Sequence, residues 1–393
     1  MHHLVIIATD PLTADRLMEG QLGYLRTQGF EVTVITAPGP MLDGVAVREG
    51  VRVRGVSMRR EIAPLADVKS LVRLVKELRV LRPDIVSAST PKAGLLGTIA
   101  ARLSGVPVVV YHLRGLRYEA ATGVKRALLV GTEHIAARCA HWILCNGESL
   151  RARFVELGCA PVEKTFVPAH GTSNGVDISR FDPSAETVEW ARAERARLGF
   201  PPDAVVVGFV GRFTRDKGIA DLVRAFQRAV ERRPALRLLL VGDFDATDPV
   251  ETDIVEWLRG DPRVVTTGFV KEPAPYYAMM DVFAFPSYRE GFPNAPLEAA
   301  AAGLPVAGFR ATGTVDAVVD ENTGTLVDIG DAMGLASVLE RYATDPELRK
   351  RHGDAGRRRV RERYNRQVVW SALAAAYKNV APNSTPRTRE RTV

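Results

Sequence analysis

Across the first 180 residues, short apolar runs alternate with helix-patterned stretches, and this alternation limits the possible folds more than any single residue does. Apolar runs at 4–8, 31–36, 51–56, 85–89 and 106–111 are interleaved with helical patterns over 14–28, 65–81, around 94–103 and 124–139. Strands separated by helices cannot pair as hairpins. They line up in parallel, with each helix crossing over a sheet face, so the fold class is α/β. At 393 residues the chain outgrows one core and suits two domains. A second series of strands starts at 205–210 and continues at 236–241 and 282–285.

The most informative loop follows residues 282–285. It reads Pro286-Ser287-Tyr288-Arg289-Glu290-Gly291-Phe292-Pro293-Asn294-Ala295-Pro296-Leu297-Glu298. A helix is expected to start near Asn294 or Ala295, with Pro296 tolerated in its first turn. The loop then lies beyond a strand's carboxyl end and against a helix's amino end, where unpaired N–H groups and the helix dipole favour an anion. Glu290 and Glu298 bracket the loop, Glu298 being expected inside the first helical turn. Ionised carboxylates only accept hydrogen bonds, so vicinal sugar hydroxyls suit them. The plain alternative is a carboxylate complementing the dipole and a solvated loop charge.

A similar arrangement opens the second half. Gly211-Arg212-Phe213-Thr214-Arg215-Asp216-Lys217-Gly218 follows a strand and precedes a helix starting near Ile219, which lets Arg212 and Lys217 converge on a pyrophosphate, although both could equally be exposed loop charges. Asp243 and Asp245 have the spacing of a metal-binding pair but the surroundings of a polar turn. No G-x-G-x-x-G follows the first strand and no P-loop motif occurs, which argues against nicotinamide dehydrogenases and P-loop phosphotransferases. The three cysteines lack metal-ligand spacing and read as core residues.

Two carboxylates with seven residues between them, the Gly-Arg and Lys-Gly loop, and the Ala-rich helix running into Gly303-Leu304-Pro305-Val306 together resemble the retaining glycosyltransferases of the GT-B fold, family 4-like, group 1. The subgroup most resembled builds bacterial capsular and lipid-linked oligosaccharides. The resemblance implies two Rossmann-like domains facing across a cleft: residues 1–180 for the acceptor, a linker 181–202, residues 203–363 for the nucleotide sugar, a helix 364–380 crossing back with Trp370 as an anchor, and a disordered tail 381–393. It places Glu290 on the transferred sugar, Glu298 on the ribose, Arg212 and Lys217 on the phosphates, and Val270 beside the nucleobase. Gly211, Gly291, Phe292, Pro293 and Asn294 line the donor site. Tyr276 and Tyr277 either stack on the base or pack into the core. In Tyr111-His112-Leu113-Arg114-Gly115 the position before glycine often holds a catalytic His in this family, and here it is Arg114. His112, expected on the other side of the strand, is the second candidate for that role, and Arg114 is a candidate for meeting an anionic acceptor.

The activity so implied is metal-independent, retaining transfer of a hexose or N-acetylhexosamine from a UDP-sugar to a lipid-linked saccharide or another glycoconjugate, with no cofactor. The rivals are a sugar-nucleotide 2-epimerase on the same scaffold and a transferase using a soluble acceptor. A cytoplasmic protein is expected, since no run approaches the roughly 18 apolar residues of a membrane span and the amino terminus does not read as a signal peptide. Residues 1–180 carry 23 Lys+Arg against 16 Asp+Glu, a difference of +7 that equals the whole chain's net charge. No nucleic-acid motif accompanies it. Arg59, Arg60, Lys69, Arg73, Lys76 and Arg79, with Arg114, Arg117, Lys125 and Arg126, are candidates for contact with an anionic membrane. The plain alternative is a core helix over 65–81 that packs Leu65, Val68, Leu71, Val72, Val75 and Leu78 inward and leaves a solvated basic face.

Overall fold

The computed structural model describes residues 1–59 and 63–382. Arg60 and most of the expected tail, 383–393, lie outside the described residues. The first sheet holds β1 (His2–Ile7), β2 (Phe30–Thr36), β3 (Arg52–Gly55), β4 (Ile85–Ser89), β5 (Val108–Leu113), β6 (Trp142–Cys145) and β7 (Thr165–Phe166), in the order β3-β2-β1-β4-β5-β6-β7. The second holds β8 (Val205–Val210), β9 (Leu236–Val241), β10 (Val264–Thr266), β11 (Val282–Phe285), β12 (Val306–Phe309) and β13 (Gly324–Val327), in the order β10-β9-β8-β11-β12-β13. All of these pairings are parallel. Helices cover both faces of each sheet, so central strands such as β4 and β11 are buried along their whole length.

Strand order reverses between β1 and β4 in one sheet and between β8 and β11 in the other. Loops at such reversals part in opposite directions and leave a crevice at the carboxyl edge. The Arg212–Lys217 loop follows β8 and the Glu290 loop follows β11, so both stand at the reversal point of the second domain.

Several elements differ from the sequence expectation. The stretch 14–28 forms two helices, Pro11–Arg16 and Gln21–Thr27, broken at Gly20, which has φ +77° and lies under the Trp370 ring. A helix not anticipated, Pro40–Glu49, delivers the buried Glu49 carboxylate to the N–H groups of Gly20 (2.9 Å) and Gly23 (3.0 Å), capping the second of these helices. The strand expected over 106–111 runs two residues later. The helix Pro64–Leu81 buries Leu74 and Leu78 but leaves Leu65, Val68 and Val72 exposed, because only a narrow stripe meets the neighbouring helix Pro91–Leu103.

The stretch 181–202 is packed rather than slack: Phe181, Ala191 and Phe200 are buried with Tyr277, Phe283 and Leu297 of the second domain. The last helix, Arg366–Val380, returns to the first domain, where Leu373, Ala374 and Tyr377 join Leu4, Ile6, Val110 and Leu144. The Trp370 indole N–H donates to the Asn174 backbone carbonyl (3.1 Å) and side-chain oxygen (2.7 Å). Where the chain crosses between domains, Val176 donates to the Tyr364 carbonyl (2.7 Å) and accepts from Arg366 N–H (3.2 Å).

Candidate functional site

The loop after β11 is fixed from three sides. Gly218, with φ +69°, packs against the carbonyl of Pro286; a Cβ there would overlap that oxygen, so the two loops of the second domain touch only because the residue is glycine. Lys217 Nζ pairs with the Glu290 carboxylate, and Ser287 Oγ donates to the same carboxylate oxygen at 2.8 Å. The Glu290 N–H donates to the Thr312 carbonyl (3.1 Å). Both charged side chains are less than one fifth exposed. Gly291 then meets the first domain: its Cα abuts the Arg114 carbonyl and Gly115 so closely that no side chain fits. Phe292 is buried beside Gly147 and Gly171, with its ring 5.5 Å from that of Tyr364. The helix Asn294–Ala301 starts after Pro293, and Thr172 Oγ1 reaches Asn294 Oδ1 at 3.4 Å.

Since that helix begins at Asn294, Glu298 sits in its second turn, not the first. Its carboxylate accepts from Tyr277 Oη at 2.8 Å, and burial raises its pKa, opposed by that hydrogen bond. Tyr277 is fully buried and Tyr276 packs edge-on against Trp190 at 5.5 Å, so both rings serve packing in this state. Val270 is partly buried against the same core, next to the exposed Phe269.

Arg212 and Lys217 do not share a partner. Arg212, on the loop beyond Gly211, is 62% exposed and pairs with Asp245 at 2.5 Å. Asp245 also accepts from Thr247 N–H (2.9 Å) and Oγ1 (2.6 Å), and these bonds, with the guanidinium, hold its carboxyl well below the usual range. Asp243 Oδ1 accepts from the N–H of Phe244. Both carboxylates of the Asp-x-Asp pair are therefore engaged within the protein. Arg212, Arg215 and Arg289 line one wall of a cleft of about 1110 Å³, and Thr9, Lys92 and Arg117 of the first domain line the other.

On the first-domain side, Arg114 lies one residue beyond the end of β5 and its charge bears on His112, so the two side chains are neighbours; the opposite-side expectation for His112 is corrected, since strand positions two apart share a face. His112 is buried and Nε2 meets Asn146 Oδ1 at 2.8 Å, while Asn146 Nδ2 donates to Ser173 Oγ at 2.7 Å. Burial, then the nearby Arg114 charge, pushes the His112 pKa well down, so its ring is neutral at pH 7. It does not line the cleft. All three guanidinium nitrogens of Arg114 are buried without a hydrogen-bond partner among the described residues.

Sequence reasoning missed the residues that join the two domains here. The Asp316 carboxylate accepts from Ser149 N–H (3.1 and 3.2 Å) and Oγ (2.6 Å) at the start of the helix Glu148–Glu156, and Ser149 Oγ accepts from Gly313 N–H (2.8 Å). Thr312 Oγ1 donates to Glu119 at 3.0 Å. Both segments are recognisable as turns in the sequence, but nothing local pairs residues more than 160 positions apart.

Two family models match the chain: "Glycosyl transferase 4-like domain" over residues 16–170 and "Glycosyl transferases group 1" over residues 204–345. A capsular polysaccharide biosynthesis glycosyltransferase of Staphylococcus aureus is 34% identical over 92% of this chain and 93% of its own length. A UDP-Gal:alpha-D-GlcNAc-diphosphoundecaprenol alpha-1,3-galactosyltransferase of Escherichia coli is 29% identical over 82% of this chain and 83% of its own. Among solved structures, Anabaena HepE in complex with UDP and glucose superposes with a TM-score of 0.78 at 20% identity, covering 96% of this chain and 100% of HepE, which speaks for the fold alone. The Rossmann-like pair of domains is thus the GT-B architecture, and the chain belongs to the group 1 glycosyltransferases, with a glycosyltransferase 4-like first domain.

Proposed function

We propose that this glycosyltransferase moves a hexose or N-acetylhexosamine from a UDP-sugar, with retention of anomeric configuration, to a lipid-linked saccharide in the assembly of a bacterial surface polysaccharide. The observation that carries this reading is the arrangement of Lys217, Ser287 and Glu290 beside the amino end of the helix Asn294–Ala301, where the second domain touches the first. The names of the capsular and undecaprenol-linked relatives support the acceptor class.

In this mechanism the bond between the anomeric carbon and the β-phosphate oxygen breaks and its electron pair goes to the phosphate. Arg212, Lys217 and the helix dipole stabilise the charge that grows there, which is the role a divalent metal plays in other folds, so no metal is needed. Glu290 accepts from hydroxyls of the transferred sugar and Glu298 from the ribose. The acceptor oxygen attacks on the face the phosphate leaves, and the departing phosphate takes its proton. Donor binding redistributes the Lys217–Glu290 pair, since Lys217 turns from a carboxylate to a phosphate. The exposed apolar residues Leu65, Val68 and Val72, set among Lys69, Arg73 and Lys76, support a reading in which the first domain lies against an anionic membrane that holds the acceptor.

Incubating the purified chain with a panel of nucleotide sugars and a short-chain lipid-diphosphate saccharide tests this. Mass spectrometry is expected to show one hexosyl or N-acetylhexosaminyl addition with a UDP-sugar and free UDP. An epimerised nucleotide sugar without added acceptor, or transfer only to soluble sugars, contradicts it.

A further inference from the structure

Five cations around the reacting centre are matched by protein anions or carbonyls. Lys217 has Glu290, Arg212 has Asp245, Arg215 has Asp248, Arg289 has Asp216, and Arg359 has the carbonyls of Asp316 and Ala317. Arg114 is different. Its Nε, Nη1 and Nη2 are covered from solvent and meet no acceptor among the described residues. Burial lowers its pKa only to about 10, so it stays charged at pH 7. The side chains that bear on that charge, Tyr377 and His112, are both neutral there: burial raises the Tyr377 pKa and lowers that of His112.

An unmatched buried charge costs several kcal/mol, and an arginine is the cation least able to escape by losing its proton. The position follows the carboxyl end of β5, and the Arg114 carbonyl touches Gly291, next to Glu290. No hydrogen bond among the described residues holds the guanidinium where it lies, and presenting it at the Gly115–Gly291 contact requires the side chain to rotate out of that buried position.

We propose that Arg114 is a substrate-binding residue that takes an oxyanion, a phosphate or carboxylate, carried on the first-domain side of the centre. This rests on the transferase reading above. The nucleotide's own phosphates face Lys217, Arg212 and a helix amino end in the opposite domain, so the oxyanion on Arg114 belongs to a different group: the diphosphate of the acceptor or a carboxylate on the transferred sugar. The planar fork of a guanidinium binds either in bidentate fashion, which an imidazole at the same position could not do.

The test compares wild type with Arg114→Met and Arg114→Lys by calorimetric titration against four probes: UDP, a UDP-hexose, the matching UDP-hexuronate and a short-chain lipid-diphosphate saccharide. Thermal unfolding without ligand is measured alongside. The expected result is that Arg114→Met leaves UDP binding unchanged and ligand-free stability equal or higher, since an unmatched charge is removed. It weakens one oxyanion probe by about 30-fold, and Arg114→Lys recovers part of the loss. Loss confined to the lipid diphosphate assigns the acceptor; loss for the UDP-hexuronate but not the UDP-hexose assigns the sugar. Loss of UDP binding itself, no probe changing more than twofold, or a less stable ligand-free protein with all binding weakened overturns the proposal. A wild-type protein that binds neither UDP nor UDP-sugar overturns the UDP-sugar reading of the donor instead, and this inference with it.

Discussion

Lys217 and Glu290 show how a local motif becomes chemistry. Both are less than one fifth exposed, each satisfies the other, and Ser287 donates to the carboxylate oxygen that Lys217 also meets; in the proposed mechanism a phosphate and a sugar hydroxyl take over this pair. Glu133 shows the reverse case, a charge the fold suppresses. It is buried under the first sheet, Tyr111 Oη donates to it at 2.7 Å, and burial pushes its carboxyl up to about 7 against that hydrogen bond. With the folded pKa raised above the unfolded one, the folded chain binds the proton more tightly; the stabilisation is present at acid pH and is lost as pH rises from about 4.5 to about 7. Glu133→Gln keeps an acceptor for Tyr111 and removes the cost of a buried charge. It is therefore expected to raise the unfolding free energy at pH 8 by up to about 3 kcal/mol and at pH 5 by much less. Urea unfolding at the two pH values checks this, and an equal effect at both, or destabilisation at pH 8, contradicts it. Glu290 and Lys217 stood out in the sequence because each lies in a loop whose glycines and flanking elements are local. Glu133 did not, since its partner Tyr111 is on another element and nothing in either segment's pattern names the other.

At the scale of elements, the alternation of apolar runs and helical patterns predicted the parallel sheets, because a strand covered on both faces has few alternatives. What the pattern could not show was which neighbours set an element's limits. Gly20 and the distant Trp370 divide one expected helix in two, and the helix Pro64–Leu81 uses less of its apolar surface than its periodicity suggested. That leaves Leu65 (85% exposed), Val68 (59%) and Val72 (48%) in water next to a row of lysines and arginines. The helix Gly123–Cys139 adds Val124, Leu128 and Ile135, and both helices flank Pro91–Leu103. Basic residues near an anionic bilayer contribute about 1 kcal/mol each, and the attraction is screened within about 8 Å at physiological salt. Co-sedimentation with anionic liposomes is expected at low salt, to weaken as salt rises, and to be lost in Val68→Asp/Val72→Asp with no drop in melting temperature. Binding that ignores salt, or persists in the double variant, contradicts a membrane face on this helix.

For the whole molecule, the two domains meet over one loop. Gly291 against Gly115, Asn294 against Thr172, Asp316 against Ser149 and Thr312 against Glu119 all join the domains close to Glu290. The chain crosses back beside Val176 and Tyr364, where paired backbone hydrogen bonds tie the two crossings together. The GT-B architecture was legible from the resemblance carried by residues 286–298. The contacts between the domains were not, because they pair turns far apart in the chain and depend on how the two sheets face each other. The central claim is that Glu290, held by Lys217 and Ser287, acts on the sugar being transferred. The most direct test is the turnover of purified Glu290→Gln with saturating UDP-sugar and acceptor, alongside its melting temperature and donor affinity. The account predicts a folded protein that binds donor within a few-fold of wild type and turns over at least about 100-fold more slowly; turnover at the wild-type rate in a folded Glu290→Gln protein would contradict it.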